Sequence, residues 1–122
     1  WDSIKGPAHG WWQFERAGIK GVMNHPASGH HLLAALNTLE YPVEVGHIHR
    51  AITYDSQLAS ILARLLLWTL PNPLPHSDER GKAWQQYLDA WRPGKPHRGT
   101  WDENWRAAWQ TVNAHPYIDT HA

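Results

Sequence analysis

Residues 56–70, Ser-Gln-Leu-Ala-Ser-Ile-Leu-Ala-Arg-Leu-Leu-Leu-Trp-Thr-Leu, carry the strongest helical pattern in the 122-residue chain. Asp55 precedes them in the position of an N-cap, and Pro71, Pro73 and Pro75 end the helix and predict a stiff, extended connector. The apolar side chains cover so much of the helix circumference that this helix should lie in the core. The pattern therefore predicts an α-helical protein built around a buried helix.

The sequence before this helix predicts a loop region and one further helix. Residues 1–27 are rich in glycine and proline and show little helical periodicity, so we expect them to be mainly loop. Ser28 is a predicted N-cap for a helix over about residues 29–39, whose leucines recur at the spacing of a buried stripe. Pro42 ends this helix.

Two more helices are predicted after the connector, over about residues 79–90 and 101–114. Thr100 and Glu103 form a predicted capping box in front of the second one. The tryptophans of these helices recur at three-to-four spacing, which is typical of a buried face. Five of them are expected in the core: Trp84, Trp91, Trp101, Trp105 and Trp109. Residues 115–122 predict a tail.

The expected fold is all-α, mainly helical, with four to five helices around a Leu/Trp core. A chain of 122 residues is long enough for one domain and too short for two, so residues 1–122 are predicted to form a single domain. Its expected parts are a loop-rich segment over residues 1–27, a helical core over residues 28–114 and the tail.

The composition excludes several classes of protein. Eleven basic residues balance eleven acidic ones, which argues against a nucleic-acid binder. The absence of cysteine excludes disulfides and thiolate metal sites. The longest apolar run, residues 61–70, is interrupted by Arg64 and is far short of the roughly 20 residues that a membrane span needs. We therefore expect no membrane span; we also expect no cofactor, and a monomer is assumed.

Residues 6–15, Gly-Pro-Ala-His-Gly-Trp-Trp-Gln-Phe-Glu, combine residue types that a purely structural segment does not need. The glycines and the proline predict a turn-rich backbone that can pass close to a ligand. Three aromatic side chains offer flat apolar faces, and one amide offers both an acceptor and two donors. This combination suits a sugar ring, which presents a C–H face and hydroxyl groups. The candidate substrate-binding residues are Gly10, Trp11, Trp12, Gln13 and Phe14.

The segment Gly6–Phe14 resembles the Gly-x-x-Gly-Leu-(Met/Trp)-Gln-(Ile/Phe) stretch of the lysozyme-like superfamily, especially its phage-type and soluble lytic transglycosylase branches. Residues 63–69 and 91–96 also resemble phage proteins of this branch. The resemblance implies a lysozyme-like fold and an enzyme that cleaves the MurNAc–GlcNAc β-1,4 bond of peptidoglycan, as a lytic transglycosylase or a muramidase. Such an enzyme would act on the bacterial cell wall, as a phage endolysin, a virion-associated lysin or a periplasmic enzyme.

The resemblance also implies roles for single residues. Gln13 should bind the N-acetyl group or a ring hydroxyl, and Trp11 and Trp12 should form the floor of the glycan groove. The family's catalytic glutamate closes a helix ahead of this motif, which implies that both precede Trp1. Glu15 is the fallback acid among four candidate carboxylates, since none carries the Glu-Ser-Gly sequence of soluble lytic transglycosylases. The other three are Glu40, Glu44 and Asp55.

Two other functions remain open from the residues. The first is a non-catalytic glycan-binding or phage structural module with the same fold. The second is a histidine-based metalloprotein using His25, His30-His31 and His47-x-His49, although these spacings match no strong metal motif, so we expect no metal site. The basic loop over residues 92–98 is predicted to connect two helices. The alternative is that it binds an anionic polymer.

Overall fold

The computed structural model describes residues 6–114, and these form α-helices joined by short connections, with no strand among them. The all-α prediction is confirmed, with six helices in this range where four to five were expected. None of these helices is long and apolar enough to cross a membrane. The helices are α1 (Arg16–Asn24), α2 (Gly29–Thr38), α3 (Val45–Ala51), α4 (Ser56–Trp68), α5 (Arg80–Trp91) and α6 (Arg98–Asn113).

The chain divides into two compact units, residues 1–72 and residues 73–122. The first unit holds α1 to α4, and the second holds α5 and α6. The boundary lies in the proline-rich connector, where the sequence predicts an extended link. The predicted tail over residues 115–122 lies outside the described residues.

In the first unit, α1 packs against α2, α3 and α4, and α2 also packs against α4. The buried apolar side chains are aliphatic apart from Phe14, and the aliphatic ones come mainly from the four helices, as the leucine stripes of α2 and α4 predict. The largest fully buried ones are Ile19, Leu32, Leu36, Ile48, Ile52, Leu58 and Leu62. Deep burial of aliphatic side chains on four packed helices supplies the main stabilisation of this unit.

Caps made by acidic side chains define the starts of two helices in this unit. Asp55 accepts a hydrogen bond from the Leu58 amide at 3.1 Å, which confirms it as the N-cap of α4. Glu44 caps α3 by accepting from the amides of Gly46 and His47. Ser28 occupies the N-cap position of α2, as predicted, but its buried hydroxyl donates to the Val22 carbonyl at 2.6 Å and makes no cap bond.

The prediction of mainly loop over residues 1–27 is wrong from Arg16 onward, where α1 begins. Ile19 and Val22 lie three residues apart on α1 and are both fully buried, so tertiary packing stabilises a helix that its glycines disfavour. Gly18 lets the Phe14 ring pack closely on α1, because a Cβ there would lie 3.2 Å from Cδ1 of Phe14.

In the second unit, α5 and α6 contact each other through a ladder of aromatic rings. Trp101 of α6 stacks on Tyr87 at 5.4 Å between ring centroids and meets Trp84 edge-on at 5.3 Å. The ladder continues to Trp105 on α6 and to Trp91 on α5. These spacings fall within the range of favourable aromatic pairs.

The prediction of a partly tryptophan core is wrong for the described residues, where the buried apolar side chains include no tryptophan. The ladder rings are half-buried, and Trp109 is exposed. Two helices cannot enclose rings of this size, so the indoles cover one another instead. The capping-box prediction is wrong too: α6 begins at Arg98, and the Thr100 hydroxyl donates to the His97 carbonyl.

Candidate glycan-contact hairpin

Residues 9–14 form a tight hairpin at the start of the described chain. His9 and Phe14 face each other as an antiparallel bridge, with N–O distances of 2.9 and 3.0 Å for their two reciprocal hydrogen bonds. The Gln13 amide donates to the Gly10 carbonyl at 3.2 Å and closes the loop between them. The backbone of the predicted carbohydrate segment is therefore fixed by its own hydrogen bonds.

Gly10 and Gln13 shape this loop, and both have positive φ angles. Gly10, at φ 76°, is buried against the end of α3, and a Cβ there would lie 2.6 Å from the Ile52 carbonyl oxygen. A side chain at position 10 is thus excluded by the conformation and by the available space. Gln13, at φ 52°, donates from Nε2 to the Gly10 carbonyl at 3.0 Å. Its side-chain oxygen remains available as an acceptor.

The buried Phe14 side chain anchors the hairpin to the core of the first unit. It is only 2% exposed and packs beside Gly18 of α1. This position corrects the prediction that Phe14 contacts a ligand, because a buried ring cannot line a surface. The bridge to His9 and the contact with Gly18 of α1 hold the Phe14 side chain on the core side of the hairpin.

A pair of histidines ties the hairpin to α3. The rings of His9 and His49 stack with centroids 3.6 Å apart and planes within 9°. His9 Nδ1 lies 2.8 Å from the His49 carbonyl oxygen, and His49 Nε2 lies 2.7 Å from the Pro7 carbonyl oxygen. Burial of the His49 ring lowers its pKa, so the neutral form is favoured in the folded protein.

Trp11 and Trp12 lie at the tip of the hairpin and face solvent. The Trp11 side chain is 69% exposed and that of Trp12 is 44% exposed. Trp12 Nε1 donates to the Ser60 hydroxyl of α4 at 3.3 Å, which fixes one indole along that helix. The hairpin thus presents two large aromatic side chains on a backbone that its own hydrogen bonds hold in place.

The candidate carboxylates differ in their surroundings. Glu15 is exposed at the N-cap position of α1, where its side chain makes no cap bond. Amide hydrogen bonds from His47 and Gly46 lower the pKa of Glu44, and the Tyr41 hydroxyl lowers the pKa of Asp55. Two of the four candidates are thus held as anions by helix caps, whereas a glycosidase acid requires a raised pKa.

The other predicted sites have structural surroundings of their own. In residues 6–114, no group of three or more His, Asp or Glu side chains is arranged to hold a metal ion. In the basic loop, Arg92 ends α5 with φ 47° in the left-handed region. Arg98 opens α6, and its guanidinium lies 5.4 Å from the Trp84 ring centroid and 3.6 Å from an Asp102 carboxylate oxygen. These contacts give the loop the connecting role that the sequence predicts.

Three residues that hold the hairpin were not predicted from the sequence. His9 and His49 are forty positions apart, and Ser60 is forty-eight positions from Trp12, so no local spacing signals these contacts. The one local signal is the His47-x-His49 spacing, which is also compatible with a pair of metal ligands. Among known proteins, no family model, curated protein or solved structure matches this chain.

Proposed function

We propose that this protein binds the glycan strands of peptidoglycan through Trp11 and Trp12, as the sugar-holding wall of a lysozyme-like enzyme that degrades the cell wall. The observation that carries the proposal is the exposure of two adjacent indoles on a backbone fixed by hydrogen bonds. Exposed large aromatic side chains on a rigid segment are typical of recognition sites.

The hairpin meets the requirements of a sugar in two ways. An indole offers a broad apolar face on which the C–H face of a pyranose can lie, with little side-chain entropy to lose. The Gln13 oxygen, on the same loop, can accept a hydrogen bond from a sugar hydroxyl or N-acetyl N–H. The hydrogen bonds of the hairpin fix its backbone in advance, which would lower the cost of ordering it on binding.

Catalysis requires a carboxylic acid to protonate the glycosidic oxygen. The resemblance of Gly6–Phe14 to lysozyme-like enzymes supports an acid outside this motif. Among the described carboxylates, Glu15 stands closest in sequence to the indoles and is free of a helix cap, so it is the fallback acid. Glu44 and Asp55 are disfavoured, because helix amides and a tyrosine hydroxyl stabilise their charged forms.

The second candidate function is a glycan-binding module without catalysis. The lowered pKa values of Glu44 and Asp55 favour it, since a glycosidase acid requires a raised pKa. Both functions share the hairpin as the sugar-contact surface.

Sedimentation with purified peptidoglycan sacculi tests the shared part of the proposal. The wild type should co-sediment, and Trp11→Ala should lower the affinity about 5- to 30-fold, as expected for losing 1–2 kcal/mol at a central aromatic contact. Trp109→Ala is the matched control, because Trp109 is equally an exposed tryptophan but lies on α6. Equal binding by wild type and Trp11→Ala would contradict the proposal.

Zymography on peptidoglycan with the natural full-length protein separates the two candidates. Clearing supports the enzyme, and binding without clearing supports the module. Glu15→Gln identifies the acid: loss of clearing with retained binding assigns it to Glu15, and retained clearing assigns it elsewhere. A hydrolysed or an anhydro product then distinguishes a muramidase from a lytic transglycosylase.

A further inference from the structure

A groove of about 370 Å³ lies on the first unit between α2 and α4. Its lining is mostly aliphatic and aromatic, with a guanidinium at one side. The lining residues are His31, Ala35, Ile61, Arg64, Leu65 and Trp68. On α4 these residues recur at three- and four-residue spacing and form one stripe along the helix.

The charged group of this groove has no acidic partner in residues 6–114. Arg64 is exposed, and its guanidinium lies over the Trp68 ring at 5.8 Å from the centroid. The described ion pairs involve only Lys82 and Arg98 as cations, and no carboxylate lines the groove. Trp68, which is 53% exposed, also meets the His31 ring edge-on at 6.5 Å. An apolar floor beside an uncompensated cation is complementary to an aliphatic ligand that carries a carboxylate.

The face of α4 that borders the groove also carries the residue that contacts the hairpin. Trp12 donates to the Ser60 hydroxyl, and Ser60 lies one helical turn before Arg64. Trp68 follows one further turn along the same stripe. Because residues one turn apart on a helix are neighbours, Arg64 lies on the same side of α4 as the Trp12 contact.

Resting on the proposed glycan function, we propose that this groove holds the peptide stem of peptidoglycan, with a stem carboxylate on Arg64 and short aliphatic side chains over Ile61, Leu65 and Trp68. Stem peptides combine small aliphatic side chains with free carboxylates, which is the chemistry that the lining complements. Through this groove the protein would recognise the peptide substituent as well as the sugar.

The test compares two soluble probes: glycan fragments that carry stem peptides and the same fragments after an amidase has removed the peptides. Wild type should bind the peptide-bearing fragments about tenfold more tightly, as expected for one charge-assisted contact at an exposed site. Arg64→Gln should remove this difference and leave the affinity for the peptide-free fragments unchanged. Arg64→Lys should retain part of the difference, because it keeps the charge without the planar fork.

Arg106→Gln is the matched control, because Arg106 is an exposed arginine on α6 and the change in net charge is the same. It should leave both affinities unchanged. Equal affinity of the wild type for both probes, or an unchanged difference in Arg64→Gln, would overturn the groove proposal. Concentration-dependent dimerisation that Trp68→Ala abolishes would also overturn it, by assigning the groove to a second copy. A failure of the glycan proposal looks different, since the peptide-free fragments would then not bind at all.

Discussion

The hairpin over residues 9–14 and the aromatic ladder of α5 and α6 use the same amino acid in opposite ways. In the ladder, Trp84, Trp101 and Trp105 cover one another and are half-buried, and two of their indole N–H groups donate to backbone carbonyls of the same unit. In the hairpin, Trp11 and Trp12 are exposed, while the packing contacts are made by the small Gly10 and the buried Phe14. The tryptophans of the ladder stabilise the fold, whereas those of the hairpin face solvent.

The difference shows that the abundance of tryptophan does not indicate a function by itself. What distinguishes the two sets is the backbone that carries them. Helical spacing brings rings of α5 and α6 together, whereas a closed four-residue loop leaves adjacent indoles no common core face. The contrast predicts that stability should depend on the ladder rings and on the anchors of the hairpin, and not on its exposed tips.

The largest expected effect is that of a side chain at Gly10. Gly10→Ala should lower the free energy of unfolding by about 3 kcal/mol, because it adds left-handed backbone strain to a contact with the Ile52 carbonyl. Urea unfolding measures it. Gly21→Ala on α1 is the control: a Cβ there meets nothing within 4 Å, so stability should rise by up to about 1 kcal/mol. Equal effects of the two changes would show that the hairpin is not packed on α3.

A smaller effect separates the ladder from the hairpin tip. Trp101→Ala should lower the free energy of unfolding by about 2 kcal/mol, below the range for a fully buried tryptophan because this ring is half-buried. Trp11→Ala should change it by less than about 0.5 kcal/mol. Urea unfolding followed by circular dichroism compares the two variants. A similar loss in both would mean that Trp11 is a structural residue.

Acid should weaken the anchoring of the hairpin. Burial lowers the pKa of His49 in the folded state, so the unfolded state binds more protons as the pH falls below about 6.5. The His49 contribution to stability should therefore be complete above that pH and decrease below it. His49→Gln, whose amide can still donate to the Pro7 carbonyl, should reduce the slope of stability against pH between 5 and 7. An unchanged slope in this variant would assign the pH dependence to other groups.

The smallest effects are expected at two of the residues with a left-handed backbone, Arg92 at the end of α5 and Gln13 in the hairpin loop. Arg92→Gly should raise the free energy of unfolding by up to about 1 kcal/mol, since glycine adopts the conformation of this helix end without strain. Gln13→Gly should be nearly neutral, because the relief of strain is offset by loss of the hydrogen bond to Gly10. Thermal unfolding of both variants checks the contrast, and a clear gain in Gln13→Gly would show that this hydrogen bond contributes nothing.

Much of the fold could be predicted from periodicity alone. The leucine stripes of α2 and α4 and the cap at Asp55 are local signals, and the structure confirms them. α1 was missed because its two glycines lower helix propensity, while the burial of Ile19 and Val22 that stabilises it depends on distant helices.

The candidate site was only partly accessible to sequence reasoning. The exposure of Trp11 and Trp12 agrees with two adjacent aromatics in a glycine-bounded loop. The burial of Phe14 depends on the direction in which the hairpin leaves the loop, and the contacts through His49 and Ser60 join positions far apart in the chain. Long-range contacts of this kind leave no spacing pattern for a single sequence to reveal.

The most direct test of the central claim is an NMR titration of the nine tryptophan indole N–H resonances with a peptide-free N-acetylglucosamine oligomer. We expect the Trp11 and Trp12 resonances to shift and saturate together, while those of Trp84, Trp101 and Trp105 do not shift. Shifts confined to the α5 and α6 indoles, with the hairpin resonances unmoved, would contradict it.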